Sequence, residues 1–136
     1  MNLRRGFCGV LAGLALCGPA MAAEVAPGTW GKLKEMLEPN SEFTVTELDR
    51  KLYVLGGYPA GRVTVRTVQS YDIASDTWRL GPPLPEPNNH GMSATLDGVI
   101  YLFGGQSDPG AAYVDSVFAF DPKLGQWAAR AKMPTK

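Results

Sequence analysis

Two stretches of the chain carry the same order of apolar and polar positions. The clearer one runs Leu96-Asp97-Gly98-Val99-Ile100-Tyr101-Leu102-Phe103-Gly104-Gly105: a tight polar turn, five apolar residues in a row and a glycine pair. The weaker one, Leu48-Asp49-Arg50-Lys51-Leu52-Tyr53-Val54-Leu55-Gly56-Gly57, lies 48 residues upstream. Asp-Gly between apolar segments is a strong two-residue hairpin signal, and Arg50 in place of the glycine weakens it in the first copy. The runs Tyr53-Val54-Leu55 and Tyr101-Leu102-Phe103 predict strands covered on both faces. Turn residues divide each copy into four short strands, expected at 43–48, 52–55, 67–71 and 77–80, and again at 92–96, 99–103, 114–120 and around Trp127. Residues 30–38 are ambiguous. Leu33, Met36 and Leu37 fall at helical spacing, but the repeat places Trp30 on a strand, and that reading is favoured.

The repeat extends well beyond the apolar runs. Trp30, Trp78 and Trp127 are spaced by 48 and 49 residues. Superposing the first two brings Glu38-Pro39-Asn40 onto Glu86-Pro87-Asn88, Tyr53 onto Tyr101 and Gly56-Gly57 onto Gly104-Gly105. Superposing Trp78 on Trp127 brings Val68 onto Val117, Tyr71-Asp72 onto Phe120-Asp121 and Pro85 onto Pro134. The extra residue in the second spacing falls in the loop after the glycine pair. Self-similarity at this period is the mark of a repeat architecture in which neighbouring units bury one another. Each tryptophan is expected to pack across such an interface, contributing about 2–3 kcal/mol by area.

Composition narrows the functional classes. The 136 residues include 13 basic and 13 acidic side chains, a balance that argues against nucleic acid as a partner. The beginning of the chain reads as an export signal rather than as part of the fold: Arg4 and Arg5, an apolar run from Phe7 to Cys17, then small residues at Ala20-Met21-Ala22. The run is short for a bilayer span, so no membrane association is expected once the signal is removed. Cleavage is placed after Ala22. Leu3 departs from a twin-arginine signal and Leu16 from a lipoprotein box, so neither of those routes is favoured. The expected location is secreted or periplasmic. Cleavage removes both cysteines, Cys8 and Cys17, and leaves a chain that its core alone must hold.

The strand ending in Gly-Gly, the Tyr71-Asp72 or Phe120-Asp121 pair, and the tryptophan six or seven residues later resemble the kelch-repeat β-propeller family. Pro85-Glu86-Pro87 and Met133-Pro134-Thr135 resemble its lead-in to a further blade. The resemblance covers residues 30–136 and implies an all-β fold of two four-stranded antiparallel blades plus one extra N-terminal strand. Kelch propellers close with five to seven blades, so this implies an incomplete propeller, the N-terminal piece of a longer one. The expected divisions are a signal peptide at 1–22, an N-terminal strand and connection at 23–41, one blade at 42–89, and a second blade with the start of the next connection at 90–136. Partners would be the remaining blades, or further copies of the chain if it ends at Lys136. Trp30, Tyr53, Gly56, Gly57, Tyr71, Asp72, Trp78, Tyr101, Gly104, Gly105, Phe120, Asp121 and Trp127 are then the structural signature.

Candidate chemistry lies on one set of loops. The segments after the glycine pairs and those between repeats share a face in a propeller, and loops on a rigid scaffold are where ligands bind. They offer Tyr58, Arg62, Arg66, Asn88, Asn89, His90, Gln106 and Asp108. Arginine forks suit carboxylates, including those of acidic sugars. His90 is the sole histidine and has no paired acid in the sequence pattern, while Glu42 stands at the equivalent place in the first copy. Asp72 and Asp121 read as turn residues. No metal site is expected from one histidine, and no cofactor motif is present. The expected function is an exported module binding a glycan or protein ligand. Similarity to bacterial periplasmic kelch sialic-acid mutarotases implies an alternative, a cofactor-free sugar epimerase, with Arg62, Arg66 and His90 as its first candidates.

Overall fold

The computed structural model describes residues 28–136, and the expected export signal lies outside them. Eight strands follow one another: β1 (Thr44–Leu48), β2 (Lys51–Leu55), β3 (Val68–Asp72), β4 (Thr77–Leu80), β5 (Met92–Leu96), β6 (Val99–Phe103), β7 (Val117–Asp121) and β8 (Gln126–Ala129). They form two four-stranded sheets, β1-β2-β3-β4 and β5-β6-β7-β8, antiparallel throughout. The register repeats between them: Leu48 faces Lys51 as Leu96 faces Val99, and Tyr71 faces Trp78 as Phe120 faces Trp127. Among the described residues no helix is long and apolar enough to cross a membrane.

Turn chemistry sets these strands apart. Asp49 and Arg50 both have positive φ (52° and 60°), as do Asp97 and Gly98 (51° and 76°), which suits the twist of a two-residue hairpin. Arg50 holds this conformation without a glycine's freedom. Its amide donates to Glu47 Oε1 at 2.6 Å, and its carbonyl accepts from Ile73. At the far hairpins Asp72 Oδ1 accepts from the amides of Ala74 and Ser75, and Asp121 Oδ1 from that of Lys123. Expectation and structure differ at two places. The third strand of the second sheet begins at Val117 rather than Val114, because Val114 turns back to bond Gly105 O, as Val65 bonds Gly57 O. Residues 30–38 form neither strand nor helix. An outermost strand needs the third strand of its own sheet, and β3 and β7 are already paired to β4 and β8.

The core lies between the two sheets. Leu48, Leu55 and Val68 from the first, with Leu84 from the connection that follows it, meet Ile100, Leu102 and Phe120 from the second, with Tyr53, Phe118 and Trp127 packed around them. Leu84 and Ile100 are fully buried. At the β1/β5 end the contact turns polar: Thr44 Oγ1 bonds Ser93 Oγ at 2.8 Å, and Thr46 Oγ1 bonds Thr95 Oγ1 at 3.0 Å. The glycine pairs follow the ends of β2 and β6, directly after the partners of Thr44 and Met92. Gly57 N donates across the seam to Asn88 O at 2.7 Å, and Asn88 Nδ2 donates to Gly104 O at 2.7 Å. Asn40 Nδ2 makes the matching bond to Gly56 O, which accounts for the repeated Glu-Pro-Asn. A Cβ on Gly56 would sit 2.1 Å from Asn88 O, so only glycine lets the two backbones approach.

Trp78 and Trp127 each work within their sheet and across the gap, whereas Trp30, expected to pack likewise, stands fully exposed. The Trp78 ring lies 4.9 Å from that of Tyr71 and donates its N–H to Lys34 O; Trp127 lies 5.1 Å from Phe120 and donates to Pro82 O. The Tyr71 hydroxyl donates to Asp76 Oδ1 at 2.6 Å. That bond pushes the phenol up from 10.0 to about 12, with burial adding to it. The same bond, together with the amide of Lys34, holds the Asp76 carboxyl below its usual 3.8.

Arg50→Gly relieves a left-handed residue with a side chain, and equilibrium urea unfolding should show a gain of about 1 kcal/mol. An unchanged or lower midpoint contradicts the turn assignment. The Tyr71–Asp76 bond gives stability that is whole below pH 10 and lost as pH rises toward 12 through the raised tyrosine. On the acid side, the depressed aspartate's share is whole above 3.8 and lost as pH falls through its lower folded value. Tyr71→Phe, the residue that the second sheet has at Phe120, should flatten the alkaline loss and raise the Asp76 pKa. Unfolding midpoints across pH, with carboxyl titration by NMR, measure both.

Candidate functional site

The loops after β2 and β6 and the connection from β4 to β5 come together at one end of the two sheets. Two isolated bridges fix their starts: Ser41 pairs with Tyr58, and Asn89 with Gln106. Glu42 and His90 follow these bridges, each just ahead of an innermost strand and each with positive φ (55° and 51°). Their equivalence in the repeat brings them face to face. His90 N donates to Glu42 O at 3.0 Å, and His90 Nε2 lies 3.1 Å from Glu42 Oε2. The lone histidine therefore has an acid partner, which its sequence neighbourhood does not reveal. The pairing joins neighbouring repeats rather than residues of one repeat.

The rest of the cluster orients the ring. Asn89 is buried; its Nδ2 donates to Thr64 Oγ1 and to Gln106 O, both at 2.9 Å, which turns Oδ1 toward His90 Nδ1 at 2.6 Å. Asn89 Oδ1 and a carboxylate are both acceptors, so the two contacts are made together only with a proton on each ring nitrogen. The Tyr58 ring stands edge-on to the histidine at 6.1 Å between centroids, and the Arg62 guanidinium lies 5.9 Å from the Tyr58 centroid. About half of the His90 and Glu42 side chains remains open to solvent (41% and 49%). An acid, an imidazole and a guanidinium thus share one accessible patch, with the buried Tyr58 ring, 5% exposed, beneath the arginine.

Of the expected site residues, Tyr58, Arg62, Asn89, His90 and Gln106 belong to this cluster, Tyr58 as its buried member. The other three stand elsewhere. Arg66 Nε donates to Leu84 O, tying down the connection between the sheets. Asn88 is buried at the glycine corner; its Oδ1 has no hydrogen-bond partner. Asp108 is exposed in the loop after Gln106, where its carbonyl accepts from Ala111 N. Sequence reasoning missed Glu42 and Thr64 as members. The signal for Glu42 was present, since residues at equivalent places in adjoining repeats become neighbours. Thr64 gave none. Among the described residues no group of three or more His, Cys, Asp or Glu side chains could hold a metal ion.

Comparison with known proteins follows the same lines. The kelch motif matches residues 39–85 and 93–134. No match is found among curated protein sequences. Among solved structures, that of YjhT superposes with a TM-score of 0.72 at 16% identity, covering 82% of this chain and 43% of that one. The chain therefore spans less than half the length of that structure, and the likeness is one of fold. With both repeats matched and both sheets built on the glycine corner, the chain belongs to the kelch-repeat β-propeller family.

Proposed function

We propose that the protein is an exported binding module that holds a glycan or protein ligand on the loop face, at the patch formed by Glu42, Arg62 and His90. The observation that carries this reading is the Glu42–His90 contact across the seam between the blades. Two side chains at positive-φ positions, half-open to water, with the imidazole oriented by a buried asparagine, are more than a loop needs for folding. The chemistry suits a ligand with hydroxyls and a carboxylate. Arg62 offers a planar fork of donors, Glu42 accepts from hydroxyls, and the buried Tyr58 ring supports the arginine from beneath. Export follows from the N-terminal reading, with cleavage after Ala22.

The same pair supports a second reading, a cofactor-free sugar mutarotase. Ring opening and closure need one group to give a proton and another to take it, and an imidazole beside a carboxylate can do both. Here His90 and Glu42 would divide the two roles, one giving a proton to the ring oxygen while the other takes the proton of the anomeric hydroxyl.

Titration of the full chain with neutral and acidic sugars, followed by NMR shifts and by the rate of anomer exchange, tests both readings. Arg62→Ala and His90→Ala should each weaken binding about tenfold or more, a change of ~1.4 kcal/mol. Asp108→Ala, outside the cluster, should leave it unchanged. Faster anomer exchange that disappears in His90→Ala favours the enzyme. Shifts that ignore both variants, or that follow Asp108, contradict the site.

A further inference from the structure

His90 sits between two acceptors, and one of them cannot be exchanged for a donor. Gln106 O accepts from both the backbone amide and Nδ2 of Asn89, and Thr64 Oγ1 accepts from Nδ2 as well. Turning the Asn89 side chain over would set its oxygen against the Gln106 carbonyl, in a corner where Asn89 and Thr64 are both buried. Two acceptors left facing each other there would be costly. Asn89 Oδ1 therefore stays toward His90 Nδ1, at 2.6 Å, and that nitrogen carries a proton. One tautomer of the neutral ring is left, with its lone pair on Nε2.

Nε2 is the nitrogen that faces Glu42 Oε2, at 3.1 Å. With both ring nitrogens protonated, an N–H meets a carboxylate and the contact is a charge-assisted hydrogen bond. With Nε2 bare, a lone pair meets the carboxylate and nothing holds the two together. Both side chains are open enough to water for Glu42 to turn away. The backbone bond from His90 N to Glu42 O does not titrate, so the blades stay joined while the side chains part. No neighbour substitutes for the Nε2 proton. From the loop after β2, Tyr58 stands edge-on to the ring and Arg62 lies over Tyr58 rather than over the histidine. The loop after β6 brings the neutral Gln106, through its carbonyl, and Asp108, which is exposed.

We propose that Asn89 is a positioning residue that locks His90 in its Nδ1–H tautomer, and that Glu42 and His90 form a proton-operated latch on the loop-face patch. The latch is closed while the ring is charged. Loss of the Nε2 proton to water opens it and releases the Glu42 carboxylate. Imidazole is the side chain whose charge ordinarily changes between about pH 5 and 8. What the latch regulates rests on the reading of this patch as a ligand site. The closed pair satisfies itself, whereas the open pair offers the Glu42 oxygens and the Nε2 lone pair as acceptors for ligand hydroxyls. A hydroxyl-bearing ligand therefore takes the open form.

His90 is the sole histidine, so a nitrogen label on histidine reads this ring alone. Imidazole nitrogen shifts, with Overhauser contacts from the Glu42 γ-methylene to the ring, are followed on the full chain between about pH 5 and 8. Once the ring is neutral, the bare nitrogen should be Nε2, and the contact with Glu42 should be lost. Glu42→Gln, at an exposed side chain, should keep the contact throughout. Its oxygen accepts from the charged ring and its amide donates to the neutral one. Asn89→Ala, which unlocks the tautomer, should let the neutral ring donate from Nε2 and keep the contact as well. A bare Nδ1 in the parent chain overturns the lock. A parent contact that persists on the neutral ring, or a Glu42→Gln chain that loses it as the parent does, overturns the latch. Glucose titrated into the same samples should bind more tightly at the higher pH. Ring shifts and contacts as expected, with no glucose bound at either pH, support the latch and count against the ligand-site reading alone.

Discussion

The hydrogen bond from Gly57 N to Asn88 O is the point on which the structure turns. It ties the first sheet's glycine corner to the connection that leads into the second sheet, at a distance that a side chain on Gly56 would forbid, and Asn88 Nδ2 carries the tie on to Gly104 O. Once made, it fixes where the connection after β4 must run. That run buries Leu84, delivers Pro82 to the next tryptophan and sets Asn88 over the second glycine corner. The hydrophobic seam supplies most of the favourable free energy in such a fold, but a seam of aliphatic residues can slide. The glycine corner supplies the register.

The same constraint positions the candidate site. Because the connection is pinned at Asn88, the next two residues must cross to the inner strand, and they do so through a bridge at Asn89 and a left-handed turn at His90. Blade one takes the same path through Asn40, Ser41 and Glu42. Equivalent turns in adjoining blades end side by side, and whatever residues occupy them form a pair. The scaffold repeats, while the paired residues differ, glutamate in one blade and histidine in the next. Function in this architecture resides in such differences rather than in the repeated signature.

Much of the fold was legible in the sequence, because its cues are local and occur twice. The Asp-Gly turn, the apolar runs and the glycine pairs each state a backbone requirement, and the repetition confirms the register. The differences arise where a residue's partner lies far along the chain. Residues 30–38 carry apolar positions at helical spacing and a tryptophan that the repeat assigns to a strand, but the third strand of each sheet already has its outer neighbour, and they form neither strand nor helix. The site was half legible. Arg62, Asn89, His90 and Gln106 could be placed on the loop face by counting from the glycine pairs. Glu42 opposite His90, and Thr64 beneath Asn89, are contacts between units, visible only when the blades are stacked. Arg66 and Asn88, polar loop residues in the sequence, are used up by backbone carbonyls that the stacking leaves unpaired.

The most direct test of the glycine corner is native-state hydrogen exchange at the Gly57 amide. A loop glycine ordinarily exchanges within local fluctuations, whereas an amide that holds two blades in register opens only when they part. The account predicts that Gly57 exchanges as slowly as the strand amides of Leu55 and Leu102 and shares their dependence on denaturant. Exchange at the rate of the neighbouring loop residues Ala60 and Gly61, independent of denaturant, would contradict it.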